Sequence, residues 1–243
     1  MGTVTKELNI YSDESGQTNK APFVSASIVS TGEINFFGKG PNRRNFGEVK
    51  EKLRQIDGRY SKYVSIVKDT NFFEEVQRKC EKMHWDYKKD VPAANYVWMH
   101  CRSHIIAQCL AKIAFEDFEK VNVVLHQKSL TKGGKDLFEC LVKNAAIDLM
   151  IKIIDQSSGD GFIRDGYLYR FKYEYTKRVK ESQDKILFIW TKDEKHGGVA
   201  LAHYLAGYYK VGLEDHSFIA GLEEVGVECL DLSKDVSNWN IPI

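Results

Sequence analysis

The 243 residues carry 35 Lys plus Arg against 34 Asp plus Glu, a formal net charge of +1, with 43% hydrophobic and 28% charged residues. That balance excludes a disordered chain and a global basic field for nucleic acid, so any phosphate-binding surface must be a local patch. No stretch approaches the ~18 apolar residues of a membrane span, and no apolar signal core opens the chain, which predicts a cytoplasmic protein without membrane contact.

The five cysteines (Cys80, Cys101, Cys109, Cys140, Cys229) are odd in number and form no Cys-x-x-Cys pair. They read as reduced, mostly buried small hydrophobes rather than zinc or redox ligands.

In chain order, Leu8 to Tyr11 and Phe23 to Val29 are β-rich runs separated by turn formers, the pattern of two antiparallel strands, and Glu33 to Phe37 can add a third. The spacing of Phe46, Val49, Leu53 and Ile56 predicts a helix from Phe46 to Gln55, followed by a strand from Tyr63 to Val67. Helices are expected from Phe72 to Met83 and from about Ala93 to Phe115, then a strand at Val121 to Leu125. A helix from Lys135 to Ile154, an aromatic-polar alternation from Phe171 to Thr176, a strand from Lys185 to Trp190 and a helix from Gly198 to Tyr209 complete the pattern, with a helix or loop cluster after Asp215. No repeat or linker divides the chain, so the expectation is one α/β domain over 1–243, with a helical insertion around 71–116.

The segment Asn9-Ile-Tyr-Ser-Asp-Glu-Ser-Gly16 reads as a strand that delivers acidic residues to a sharp glycine turn. Such an exit holds a carboxylate rigidly at a sheet edge. Neighbours on a strand point to opposite faces, which favours Asp13 over Glu14 as the residue aimed at a site. The plain competing reading is a solvated turn.

Tyr11-Ser-Asp-Glu-Ser-Gly16 resembles the opening motif of domain of unknown function family 3800 (DUF3800), a bacterial and phage group of ribonuclease H-like proteins. Met83-His-Trp-Asp86, Val123-Val-Leu-His126 and Gly198-Val-Ala-Leu-Ala-His-Tyr-Leu-Ala-Gly207 resemble three later segments of that family in the same order. The resemblance implies a ribonuclease H-like mixed sheet of about five strands flanked by helices, with Asp13 at its centre. It also implies carboxylates converging on divalent ions for phosphodiester hydrolysis, Mg²⁺ or Mn²⁺ being the hard cations such oxygens suit.

The departures bear on mechanism. His126 stands where the family's central-strand acid is expected, and His203 where its late-helix aspartate is expected. Near the Trp motif, Lys82 falls at the acid place, with Glu81 one residue off. Asp13 with two histidines could hold Mn²⁺, Zn²⁺ or Fe²⁺, or a histidine could act as general base. The opposite reading is a catalytically inactive module that keeps the fold and binds a protein or nucleic-acid partner.

The resulting expectation is a divalent-metal-dependent nuclease acting on RNA or DNA, in phage defence or a mobile element as the resemblance suggests. Its catalytic set is Asp13, Glu14, His126 and His203, and its metal ligands are Asp13, His126 and His203. Lys192 and Lys195, in the loop before the late helix, and Lys128, after His126, are the expected contacts to phosphate, with a charged solvated loop as the alternative. The His100 and His104 pair has metal-compatible spacing but lacks the Glu of a His-Glu-x-x-His site. The aromatic run from Tyr167 to Tyr175 could stack bases or simply pack one strand face.

Overall fold

The computed structural model describes residues 6–15, 22–37, 45–68, 71, 74, 78, 94–126, 142–151, 153, 184–191 and 196–233. Strands β1 (Glu7–Ser15), β2 (Phe23–Ser30), β3 (Lys62–Val67), β4 (Lys120–His126), β5 (Ile186–Thr191) and β6 (Val227–Asp231) form one sheet in the order β5-β4-β1-β2-β3-β6. β2 runs against β1 and β3, whereas β4 is parallel to β1, β5 to β4 and β6 to β3. Order and sense over the first five strands are those of the ribonuclease H-like mixed sheet expected from the sequence, with β6 as a sixth strand.

Alternation along the strands sends side chains to two layers. Leu8 and Ile10 of β1, with Val121, Val123 and Leu125 of β4, share one core with α2 (Ala94–Ala111) and the helix over 142–151, here α3. Val24, Ala26 and Ile28 of β2 and Val64 and Ile66 of β3 face the other layer. That layer comprises α1 (Phe46–Gln55), α4 (Gly197–Gly212) and α5 (His216–Glu223). The expected spacing in α1 is realised in the burial of Val49 and Leu53, and α5 is capped by Asp215, whose carboxylate accepts from the Ser217 N–H.

Three expectations need correction. Glu33 to Phe37 is not a strand: Ile34 and Phe36 turn to the helix layer, where the Phe36 ring meets Tyr204 of α4 edge-on with centroids 5.0 Å apart, while Phe37 is exposed. The segment after Asp215 contains a strand, β6, as well as a helix. Gly226, at φ 78°, makes the reversal between them. The helix expected to reach Phe115 ends at Ala111, where Lys112 and Ile113 N–H groups tighten onto the Cys109 and Leu110 carbonyls. The calls at Phe72 to Met83, apart from residues 74 and 78, and at Phe171 to Thr176 lie outside the described residues. Cys101 and Cys109 are buried free thiols, while Cys229 is exposed. Among the described residues no helix is long and apolar enough to cross a membrane.

One buried cation fastens the α1 layer. Lys62 on β3, 5% exposed, donates to the carbonyls of Leu53 (3.1 Å), in the last turn of α1, and Val225 (2.9 Å), just after α5. A cation at carbonyls left open by helix ends is favourable twice over, through hydrogen bonds and the helix dipole. Burial holds its ammonium below the usual lysine pKa.

The close approach of α4 to β1 places the functional helix. A Cβ on Gly198 would lie 2.3 Å from Cγ of Tyr11, and one on Gly197 would lie 2.0 Å from the Ile34 carbonyl oxygen. Gly198→Ala is therefore expected to destabilise the protein by about 1–3 kcal/mol through overpacking. Gly47→Ala, where nothing lies within 4 Å, should be neutral or stabilising by about 0.5–1 kcal/mol. Urea titration of both variants checks the pair, and equal effects would remove the close-packing account.

Candidate functional site

Asp13 and Glu14 end β1 in the middle of the sheet, beside the C-terminal end of the parallel strand β4. In open α/β sheets the crevice at the carboxyl ends of strands, where neighbouring connections diverge, is the usual ligand site. β1 and β4 pair as far as Ser12 with Leu125, so Asp13 and His126 occupy the next positions on adjacent strands. By alternation Asp13 shares the face of Tyr11, toward α4, and Glu14 shares the face of Ile10, toward α2.

From α4, His203 directs Nδ1 at the Glu14 carbonyl oxygen, 3.0 Å away, with Oδ2 of Asp13 at 3.2 Å. One ring N–H cannot serve both acceptors well, and Asp13 Oδ2 is left buried without a full hydrogen bond among the described residues. Its partner Oδ1 accepts from the Glu14 N–H at 2.8 Å. With Nδ1 engaged, Nε2 is the nitrogen of this 36% exposed ring left for a substrate.

From α2 comes a residue that the sequence reading missed. Arg102 is fully buried, and its guanidinium reaches round the end of the sheet to both faces. Nη2 donates to Glu14 Oε2 and, at 3.4 Å, to Asp13 Oδ1, while Nη1 donates to the His126 carbonyl oxygen at 3.1 Å. A signal was present: Arg102 is the single Asp, Glu, Lys or Arg in the 18 residues of α2. A charge in an otherwise uncharged helix between apolar layers must find a partner inside.

Burial, then repulsion from Glu14, raises the Asp13 carboxyl from 3.8 to about 6, with His203 and Arg102 pulling the other way. The hydrogen bond to Asp13 raises His203, against the opposing effect of its burial. The arrangement can orient an imidazole and move a proton at Nε2, as a carboxylate-held histidine does in many hydrolytic sites.

Of the expected residues, the structure gathers Asp13, Glu14 and His203, and ties His126 to them through its backbone carbonyl. Lys128, Lys192 and Lys195 lie outside the described residues. The described donors do not fit the expected metal centre of Asp13, His126 and His203. Carboxylate oxygens of Asp13 and Glu14 are held by Arg102, and His126 is tied in through its backbone carbonyl; Nδ1 of His203 donates to a carbonyl, which leaves Nε2 as its one nitrogen open to a ligand. Among the described residues no three His, Cys, Asp or Glu side chains gather to hold a metal ion.

Fold and site together define an α/β protein with a ribonuclease H-like sheet and an Asp-Glu-Arg-His cluster, buried at Asp13 and Arg102 and partly exposed at His203, at its central strand end. No family model matches the chain and no curated protein matches it. Among solved structures, a chain in the PCNA:RNase HII complex from Archaeoglobus fulgidus is similar at 15% identity and a TM-score of 0.37, over 89% of this chain and 77% of that one. A likeness of that size says nothing further about this chain, and the fold assignment stands on strand order and sense.

Two outcomes follow from the cluster. Arg102→Met leaves Asp13 buried without its cation, and urea titration should show a loss of about 3–5 kcal/mol. The pH dependence has a definite direction. Asp13 binds its proton more tightly folded than unfolded, so its contribution is complete below pH 3.8 and is lost as pH rises through about 6. His203, also raised, acts in the same direction, its contribution complete below 6.5 and lost as pH climbs through its folded value. The stability of wild type relative to Asp13→Asn should thus fall between about pH 4 and 6, by up to about 3 kcal/mol. A flat difference in melting curves over that range would contradict the raised Asp13.

Proposed function

We propose that this chain is a ribonuclease H-like phosphodiester hydrolase acting on nucleic acid, with His203 as proton acceptor and Asp13 as the group that orients it. The observation that carries this reading is the geometry of His203, whose Nδ1 is held by the end of β1 while Nε2 remains for chemistry. Asp13 stands where the DUF3800 resemblance expects the site. That resemblance also suggests the setting in phage defence or a mobile element.

In this reading Nε2 takes a proton from the attacking water as its oxygen bonds to phosphorus, the buried carboxylate stabilises the imidazolium that results, and the scissile P–O bond breaks as the imidazolium returns a proton to the leaving oxygen. Arg102 stays out of reach of the substrate and holds Asp13 and Glu14 in place. β1, β4 and β5 are parallel, so their C-terminal ends share one edge of the sheet. The chain passes from the ends of β4 and β5 directly into the segments carrying Lys128 and Lys192, which supports a role for those lysines against phosphate. The divalent ion expected from the sequence has no step here, since Arg102 holds Asp13 Oδ1 and Glu14 Oε2.

A second reading, a catalytically inactive module that binds a nucleic-acid or protein partner, is favoured by one observation: Arg102 neutralises carboxylates that an active metal site would leave open. Incubation of labelled RNA and DNA with wild type, His203→Ala and Asp13→Asn, in Mg²⁺, in Mn²⁺ and in chelator, separates the readings. Hydrolysis by wild type with a loss of about 10²-fold or more in His203→Ala is expected. Equal rates in wild type and His203→Ala would overturn the assignment of His203. No cleavage in any condition would leave the binding module.

A further inference from the structure

We infer that Arg102 is the resident cation of this site, a guanidinium built into the chain where a divalent ion would otherwise be held, and that its presence excludes such an ion. The inference deepens the reading of the β1 end as a ribonuclease H-like active site. It concerns which cation the site holds, not whether cleavage occurs.

Three oxygens from two adjacent strands converge on the guanidinium: Asp13 Oδ1, Glu14 Oε2 and the His126 carbonyl. Two carboxylate oxygens and a carbonyl are the donors that Mg²⁺, Mn²⁺ or Ca²⁺ accept. A fourth candidate, Asp13 Oδ2, is buried beside them without a full hydrogen bond among the described residues. Asp13 is 2% exposed and Arg102 wholly buried, so no surface side chain is folding over a solvent-filled site. Arg102 is anchored in the middle of α2, which packs on β1, β2 and β3. For an ion to enter, the guanidinium would have to leave oxygens it neutralises and move into an apolar layer. A like charge at contact distance also opposes the ion directly.

Removing the guanidinium while keeping the three oxygens should expose the vacated cage. Arg102→Met retains most of the aliphatic stem, and Arg102→Lys retains a positive charge. Mn²⁺ titration followed by electron paramagnetic resonance, with melting curves in parallel, is the test. Wild type and Arg102→Lys should show no saturable site above the background of Asp13→Asn. Arg102→Met should acquire one Mn²⁺, bound at least about tenfold more tightly than by wild type, and its melting temperature should rise with Mn²⁺ as expected for a ligand of the folded state. If Arg102→Met does not fold without metal, Mn²⁺-dependent folding is the expected form of the same result. Saturable Mn²⁺ binding by wild type that disappears in Asp13→Asn overturns the inference. Folded Arg102→Met with no gain in Mn²⁺ binding also overturns it. Neither result depends on cleavage, so failure here and failure of the hydrolase reading are distinguishable.

Discussion

A guanidinium with no exposure to solvent cannot sit between two layers of a domain without oxygens to neutralise it, and Arg102 organises the end of the sheet for that reason. Its three oxygen partners belong to β1 and β4, its own backbone to α2, and Asp13 carries the contact on to His203 of α4. Four elements from distant parts of the chain are thus brought to one point. Desolvating a charge is costly, and the pairing recovers that cost only when the partners are fixed in place. The cluster therefore adds little net stability while penalising any arrangement in which β1, β4, α2 and α4 fail to meet as they do.

The approach of the backbones serves the same end. Gly198 lets α4 rest on the Tyr11 ring, two residues before Asp13 on the same strand face. That contact sets how far His203, just over one helical turn along α4, stands from the carboxylate. Small side chains do comparable work below α2, where Ser65 donates to the Cys101 carbonyl next to Arg102. The Ser25 hydroxyl meanwhile donates to the Asp13 carbonyl from β2. A Cβ on Gly198 would run into the Tyr11 ring and push α4, with its imidazole, away from β1.

Much of this frame was legible in the sequence. Tyr11 to Gly16 announced a strand ending in acids, the apolar spacing of Val49 and Leu53 announced α1, and the small apolar run around His203 marked the helix that packs on β1. The rest was hidden for physical reasons. Glu33 to Phe37 alternates like a strand, but Phe36 finds an aromatic partner in Tyr204 instead of a backbone ladder. β6 is five residues long, contains Glu228 and Asp231, and lies at an edge, so local propensity speaks weakly for it. Arg102 was missed because helical arginines are usually solvated. Only the lack of any other charge along α2 separates it from those, and nothing local says which carboxylates, 88 and 89 positions away, it meets.

A guanidinium and a divalent ion answer the same carboxylates but do not confer the same chemistry. An ion at this edge could take water as a ligand, lower its pKa and polarise a phosphoryl oxygen. A buried guanidinium offers only its N–H groups, all directed inward, and carries half the charge. It holds the acids in position with no open place for a substrate. Whatever proton transfer the site performs must then fall to a group at the surface of the cluster that the acids can bias. Of the four side chains in the cluster, His203 has that combination, since its ring is partly exposed while Asp13 and Arg102 are buried and Glu14 is bound to Arg102. In the proposed reading, the task of Asp13 at this edge is to orient an imidazole rather than to ligate an ion.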